Sequence, residues 1–547
     1  MGDLPRPDHR AARRRARRRL NAGAPGSNAV RSSRTSSVDD PGSGLRFVAS
    51  DFYGYLKPSR CGLRVWLREQ GAEEDPPSEL AEMLMRLGIE HERRHLARFP
   101  RHLDIAGLPR EEQRRATIDA VRAGGRVIYQ GRLEATTVLG GREVGVVGLP
   151  DFMLPARRGY AIRDSKLNRR VGPYQEHVRL QLEIYGWLYE RTFGEPPVAL
   201  QVHAGTGEIL HIDYEGGTDA LATYAEMLDF RLSEDEPDEW VGVSKCGGCG
   251  FRSRCWPRAE ERLDVGILPW VERGLVAELH RRGAATIPEL LERFDVERLG
   301  AIELPWREGT RPIGDRAERI LLSARARLEG RPIVIKPPEI PAHDTYVMFD
   351  LEGMQPSLDE LEKIYIWGMQ PFGEGAGEFR AGVAGFGRGG DREGWESFLR
   401  QAAAIFAEHG DVPFVHWAAY EKAKVNLYVE RYGDRDGIAR RVLDNLLDLL
   451  PITRDAVAVP LSSYGLKEIE TLTGYERRLD DFGGEWSMAR YIEATETNDR
   501  GHRAAIMGEI LAYNREDLEA TWAVLEWLLG LGEDAASAGH HSIEQGP

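Results

Sequence analysis

The stretch Tyr346-Val-Met-Phe-Asp-Leu-Glu352 decides the second half of this 547-residue chain. Its apolar, β-prone start predicts a buried strand. The strand ends in two carboxylates, Asp350 and Glu352, which the two-residue period places on one face. Far downstream, "ILAYNREDLEATWAVLEWL" (Ile510–Leu528) predicts a strongly amphipathic helix, with Tyr513 and Asp517 one turn apart. A strand-borne Asp and Glu closed by a helix-borne Asp can bind two metals and run in-line phosphodiester hydrolysis. A tyrosine one turn before that Asp can hold the attacking water. Between strand and helix, "FVHWAAYEKAKVN" offers Glu421, and "LLDLLPI" offers Asp448, either a structural residue or a substitute ligand.

The D-x-E, a middle acid and a closing Y-x-x-x-D resemble the DnaQ-like exonucleases of RNase H fold, over residues 345–531. The resemblance implies an RNase H-like mixed sheet of the 3'-5' exonuclease type. It implies Mg²⁺ or Mn²⁺ held by Asp350, Glu352, Glu421 and Asp517, with Tyr513 orienting water. Those exonucleases usually present Asp where this chain has Glu421, and the longer arm changes the geometry. "SSYGLKEIE" (Ser462–Glu470) resembles the segment leading into their closing helix.

A second carboxylate pattern lies upstream. "REVGVVG" (Arg142–Gly148) followed by Asp151-Phe-Met-Leu reads as a hairpin or bent strand, and "YAIRDSK" (Tyr160–Lys166) alternates as a half-buried strand does. Asp164 and Lys166 leave the same face, and Asp151 can reach them from the neighbouring strand. Two carboxylates can hold a divalent cation against a scissile phosphate, and the lysine can orient or deprotonate water. A helix from about Pro173 to Phe193 carries Gln181 and Tyr185 on one face. "RLGIEHERRHL" puts His91 on an earlier helix as an additional ligand.

All four thiols of the chain fall into one set: Cys61, then Cys246, Cys249 and Cys255 at x2 and x5 spacing. An acidic chain without an export signal is expected in the cytoplasm, where thiolates serve metals more often than disulfides. Four thiolates suit zinc or an iron–sulfur cluster, and spacing does not choose.

Gly88-Ile-Glu-His91, Gly148-Leu-Pro-Asp151, Asp164-Ser-Lys166 and Gln181-Leu-Glu-Ile-Tyr185 stand in the order G-x-x-H, G-x-x-D, D-x-K, Q-x-x-x-Y. The order resembles the RecB-type branch of the PD-(D/E)XK nucleases, over residues 46–257. Its four-cysteine subset, including AddB and the CRISPR-associated RecB-like exonucleases, also brackets the core with one cysteine and then three. That resemblance implies a [4Fe-4S] cluster on Cys61, Cys246, Cys249 and Cys255. It also implies metal ligation by His91, Asp151 and Asp164, water activation by Lys166, and strand positioning by Gln181 and Tyr185. The order of the two domains resembles a bacterial and archaeal family of RecB-like nucleases.

The remaining segments frame these two. Residues 1–45 carry ten Arg against four Asp and read as a disordered basic tail: a nucleic-acid arm, a solvated tail or a mis-called start. Residues 258–331 look helical; they loosely resemble helix-hairpin-helix modules and serve equally as a plain helical linker. Residues 332–344 read as a Pro-rich extended linker, and 532–547 as a disordered tail. Net charge is −15, with 41% hydrophobic and 29% charged residues, an ordinary globular composition. No apolar run reaches membrane length, and no Walker-type phosphate loop is present. The joint expectation is an α/β protein with a restriction-endonuclease-like domain and an RNase H-like domain. It would act as a metal-dependent DNA exonuclease on single strands or ends, in repair or foreign-DNA processing, with RNA as a further substrate class. The competing expectation is a binding or assembly subunit with one or both sites inactive, working with a separate helicase.

Overall fold

The computed structural model describes residues 44–57, 60–169, 175–306, 309–355, 358–359, 361–479 and 483–541; the expected basic tail, up to residue 43, lies outside them. Chain alternation of strand and helix patterns gives a mixed α/β molecule. In the first part, helix α1 (Gly62–Glu69) follows strand β1 (Arg46–Val48), and helix α2 (Glu79–Leu96) carries His91. Eight more strands follow: β2 (Leu103–Asp104), β3 (Ile128–Tyr129), β4 (Leu133–Leu139), β5 (Arg142–Gly148), β6 (Phe152–Pro155), β7 (Tyr160–Ser165), β8 (Ala199–His203) and β9 (Ile209–Ile212). They form a three-stranded sheet, β1-β5-β4, and a six-stranded sheet, β2-β3-β6-β7-β8-β9.

Gly148–Asp151 is therefore a corner at which the chain leaves one sheet for the other, where sequence allowed a hairpin or a bent strand. Glycine is required there: a Cβ on Gly148 would lie 2.6 Å from Leu188 Cδ1 and 2.7 Å from Tyr185 Cδ1. Both neighbours belong to helix α3 (Glu176–Phe193), which links the parallel strands β7 and β8 and is buried through most of its length. Residues 170–174, which include the helix start expected at about Pro173, lie outside the described residues.

Residues 258–331 are mainly short helices, built around a core that includes Val265, Leu279, Ile287 and Ile320. A capping box, Thr286 with Glu289, starts one of them. The helical expectation missed a hairpin, β10 (Glu303–Trp306) with β11 (Gly309–Pro312), whose Pro305 and Pro312 suit extended backbone. The Pro-rich stretch is not only a linker. Its Ile333–Val334, β12, pairs antiparallel with β18 (Val457–Ala458).

The last part is built on a five-stranded sheet. Its strands are β13 (Thr345–Gly353), β14 (Ile364–Gly373), β15 (Arg380–Val383), β16 (Phe414–His416) and β17 (Leu446–Asp448), in the order β15-β14-β13-β16-β17. Strands β13 to β15 are antiparallel, and β13, β16 and β17 run parallel. Apolar residues on both faces of β13 follow from helices on both sides. Val347 and Phe349 pack with Phe398 of α4 (Gly387–His409) and Tyr428 of α5 (Tyr420–Tyr432). Tyr346 and Met348 pack with Leu518, Leu525 and Leu528. Helix α6 (Leu449–Ala456) follows β17, and α7 (Gly484–Glu496) leads into α8 (Arg500–His541). Helix α8 is described as far as His541, inside the disordered tail expected from 532, and residues 542–547 lie outside the described residues. Helix α7 also packs on the first part: Met488, Ala489 and Ile492 cluster with Leu80 of α2, and Arg86 pairs with Glu496 at 2.6 Å. Among the described residues, no helix is long and apolar enough to cross a membrane.

Candidate metal centre

Strand period and helix turn bring Asp350, Glu352 and Asp517 together. One carboxylate oxygen from each lies within 4.8 Å of the other two; among the described residues no other such group of His, Cys, Asp or Glu forms. Asp350 is half-buried, and Glu352 and Asp517 are buried. A register shift between Glu352 and Gly353 ends regular pairing just past the site. Burial and the neighbouring Asp517 and Glu352 charges push the Asp350 carboxyl well above its usual range. Burial and then Asp517 push Glu352 up to about 8, against hydrogen bonds from Ser487 and Tyr365. Asp517 is raised by burial, with Arg477 pulling the other way. Three close carboxylates that repel one another, two of them buried, fit a hard divalent cation, which would ionise all three.

Surrounding residues hold these acids in place. Asn514, fully buried one residue after Tyr513, donates Nδ2 to Asp350 Oδ2 at 2.7 Å. Gly368, opposite Asp350 in the β13–β14 ladder, makes room for it: a Cβ there would stand 1.8 Å from Asn514 Oδ1. Arg477 Nη1 binds Asp517 Oδ1 at 2.6 Å. Tyr513 hydrogen-bonds Asp517, and burial raises its hydroxyl pKa. The sequence reading missed Asn514, Arg477, Ser487 and Tyr365. Asn514 was within reach as the neighbour of Tyr513, whereas nothing in "YERRLDDF" marks Arg477.

Glu421 is buried at the start of α5, outside the close trio, with Oε2 at 3.2 Å from His416 Nδ1. Its charge still raises the pKa values of Asp350 and Glu352. Asp448 caps α6, accepting from Leu450 N at 3.0 Å, and holds Ala418 N at 2.9 Å. Ala418 has φ 72°, a strained conformation for a residue with a side chain. These contacts are those of a cap and loop brace; Asp448 Oδ1 makes both of them.

The upstream residues also assemble. Asp151 closes the corner after β5, with Oδ2 accepting from Ser165 N at 2.8 Å and Oδ1 from Gln130 Nε2 at 3.0 Å. Lys166 Nζ lies 2.5 Å from Asp164 Oδ2 and donates to Gln181 Oε1 at 2.9 Å. Gln181 Nε2 donates to Tyr185 Oη at 2.9 Å, and Tyr185 Oη to Leu149 O at 3.3 Å. His91 stands at the edge of this network: its ring stacks on His203 at 4.4 Å, with Nε2 3.4 Å from His203 O. That same carbonyl accepts from Lys166 N. Burial lowers the His91 pKa, which keeps the imidazole neutral and able to ligate. Oxygens of Asp151 and Asp164 and a nitrogen of His91 do not close to within 4.8 Å of one another. Gln130, Glu92 and His203, unmarked by any motif, complete the network.

The four cysteines are free thiols and partly buried. Cys61 precedes α1, and Cys61, Cys249 and Cys255 pack on Leu63, Leu67 and Phe251. Asp75 N donates to Gly250 O at 2.6 Å and Asp75 Oδ2 accepts from Ser253 N at 3.0 Å, pinning the segment after α1 to the cysteine loop. Burial, with Cys249 and Cys61 close enough to add, raises the Cys246 thiol; burial and Glu239 raise Cys255. No three sulfurs lie within 4.8 Å of one another. That is wider than a closed zinc tetrahedron, whose ~2.3 Å bonds put sulfurs roughly 3.8 Å apart.

Residues 347–529 match the family model of the RNase H superfamily. This part of the chain has an RNase H-like, nuclease-like fold. No curated protein matches the chain. A solved structure described as "Crystal structure of SSO0001" is 15% identical over 40% of this chain and 89% of that one, with a TM-score of 0.24; so low a likeness carries no argument.

Proposed function

We propose that the RNase H-like part is a divalent-metal-dependent nuclease site acting on nucleic acid, DNA ends or single strands first among substrates. The observation that carries it is the convergence of Asp350, Glu352 and Asp517 within 4.8 Å, each with a raised pKa. When bound, Mg²⁺ or Mn²⁺ supplies Lewis acidity and an activated water. Asp350, Glu352 and Asp517 would hold it. Asn514 and Arg477 orient two of those ligands, and Tyr513 lies beside Asp517 to steer the water. Glu421 contributes its charge from beside His416.

The upstream group is a second nuclease site in this reading, with Asp151, Asp164 and His91 as ligands, Lys166 acting on water, and Gln181 and Tyr185 positioning the strand. In this reading Cys61, Cys246, Cys249 and Cys255 would be the thiolates of a [4Fe-4S] centre, as the order of the motifs implies. Arg252, whose charge favours the Cys246 thiolate, has a buried Nη1 without a hydrogen-bond partner, suited to an anionic centre there. Anaerobically purified protein should carry iron and sulfide in cluster proportion; zinc without iron would reject this assignment.

The test of function is digestion of end-labelled single- and double-stranded DNA and RNA with Mn²⁺, using the parent, Asp517→Asn and Asp164→Asn. Loss of cleavage in Asp517→Asn with binding retained supports the reading. One observation favours a second reading, a binding or assembly subunit whose upstream site is inactive: Asp151, Asp164 and His91 stay more open than the downstream trio. Full cleavage by Asp164→Asn, with stimulation by a separate helicase and ATP, would favour that reading.

A further inference from the structure

Arg477 is bound to one candidate ligand and to Glu470 outside the trio, with Glu516 farther off at 4.0 Å. Its Nη1 donates to Asp517 Oδ1 at 2.6 Å. Its Nε and Nη2 donate to Glu470 Oε1 and Oε2 at 2.6 and 2.7 Å, a two-pronged contact. The side chain is 11% exposed, so little water screens these pairs. Glu470 comes from the short helical turn ending the Ser462–Glu470 segment, and Arg477 from the loop beyond it.

We propose, resting on the metal-binding reading above, that Arg477 is a positioning residue that withholds Asp517 Oδ1 from the cation. Asp517 then serves the ion through its other oxygen alone, and the guanidinium charge sets how tightly the site holds metal. A guanidinium and a divalent cation on the two oxygens of one carboxylate repel each other. The two-pronged hold of Glu470 draws part of that charge away and fixes where the guanidinium stands. Neutralising Arg477 therefore tightens metal binding. Neutralising Glu470 leaves Arg477 to Asp517 and to Glu516, which lies farther off at 4.0 Å, and weakens that binding. A residue that merely props Asp517 in place gives a different pattern, because its loss weakens metal binding.

The test uses the full-length protein carrying Asp164→Asn, so that the ion counted belongs to the downstream site. Mn²⁺ is titrated by calorimetry and by the electron-spin signal of the free ion, with folding checked by circular dichroism. Arg477→Met should tighten Mn²⁺ binding by about tenfold or more, and Glu470→Gln should weaken it. Weaker binding in a folded Arg477→Met protein overturns the inference. Should Arg477→Met not fold, Glu470→Gln decides, and unchanged or tighter binding there overturns it. A background protein that binds Mn²⁺ normally with neither variant responding rejects the role of Arg477 alone. One that binds no Mn²⁺ rejects the metal centre and this inference together.

Discussion

At the scale of single residues, the candidate metal centre depends on space as much as on charge. Asn514 reaches Asp350 only because residue 368 has no side chain. Gly368→Ala should destabilise the protein by about 1–3 kcal/mol, as overpacking does, and weaken Mn²⁺ binding as Asn514 is displaced. Denaturant titration and calorimetry would measure both effects. Glu352 gives a pH signature. It keeps its proton to about pH 8 in the native metal-free protein, against an ordinary value of 4.5. Between those limits the native state holds the extra proton, so this group makes stability fall as pH rises from about 4.5 to about 8. Below 4.5 both states are protonated and the contribution is complete. Saturating Mg²⁺ should flatten the slope, since a metal-bound carboxylate is ionised throughout. Melting curves across that range, with Mg²⁺ and with chelator, would show it, and equal slopes would count against metal binding by Glu352.

At the scale of elements, the strand ending in Asp350 and Glu352 and the helix carrying Tyr513 and Asp517 were legible, because period and amphipathicity are local properties. The order of the upstream motifs was legible too, and the structure links Asp151, Asp164, Lys166, Gln181 and Tyr185 through Ser165 and Leu149. Partners from distant segments were not. Arg477, Ser487 and Gln130 earn their places through three-dimensional proximity, which leaves no trace in spacing. The β12–β18 pairing was hidden for the same reason: prolines around Ile333–Val334 speak for extended backbone but not for its partner. Asp448 was ambiguous in sequence because a cap and a ligand need the same side chain. Asp448→Ala should cost about 1 kcal/mol, in the usual range for a lost helix cap. It should leave Mn²⁺ stoichiometry unchanged, and loss of an ion would restore Asp448 as a ligand.

At the scale of the whole molecule, α2 and α7 join the two candidate sites. Helix α2 presents His91 to one network and Leu80 to α7, whose Ser487 hydrogen-bonds Glu352 in the other. The joint rests on apolar contact more than on charge. Ile492→Ala should cost about 2–5 kcal/mol as a buried large-to-small change. Arg86→Ala should cost less than about 1 kcal/mol, because the Arg86–Glu496 pair is well exposed to water. Chemical denaturation of the two variants would rank them, and the reverse order would mean that charge carries the joint. The same seam limits how the gene can be cut. A fragment beginning at Thr345 would forfeit β12 and expose Met488, Ala489 and Ile492, creating a greasy face that invites self-association. Each half is, in effect, the other's solubility tag.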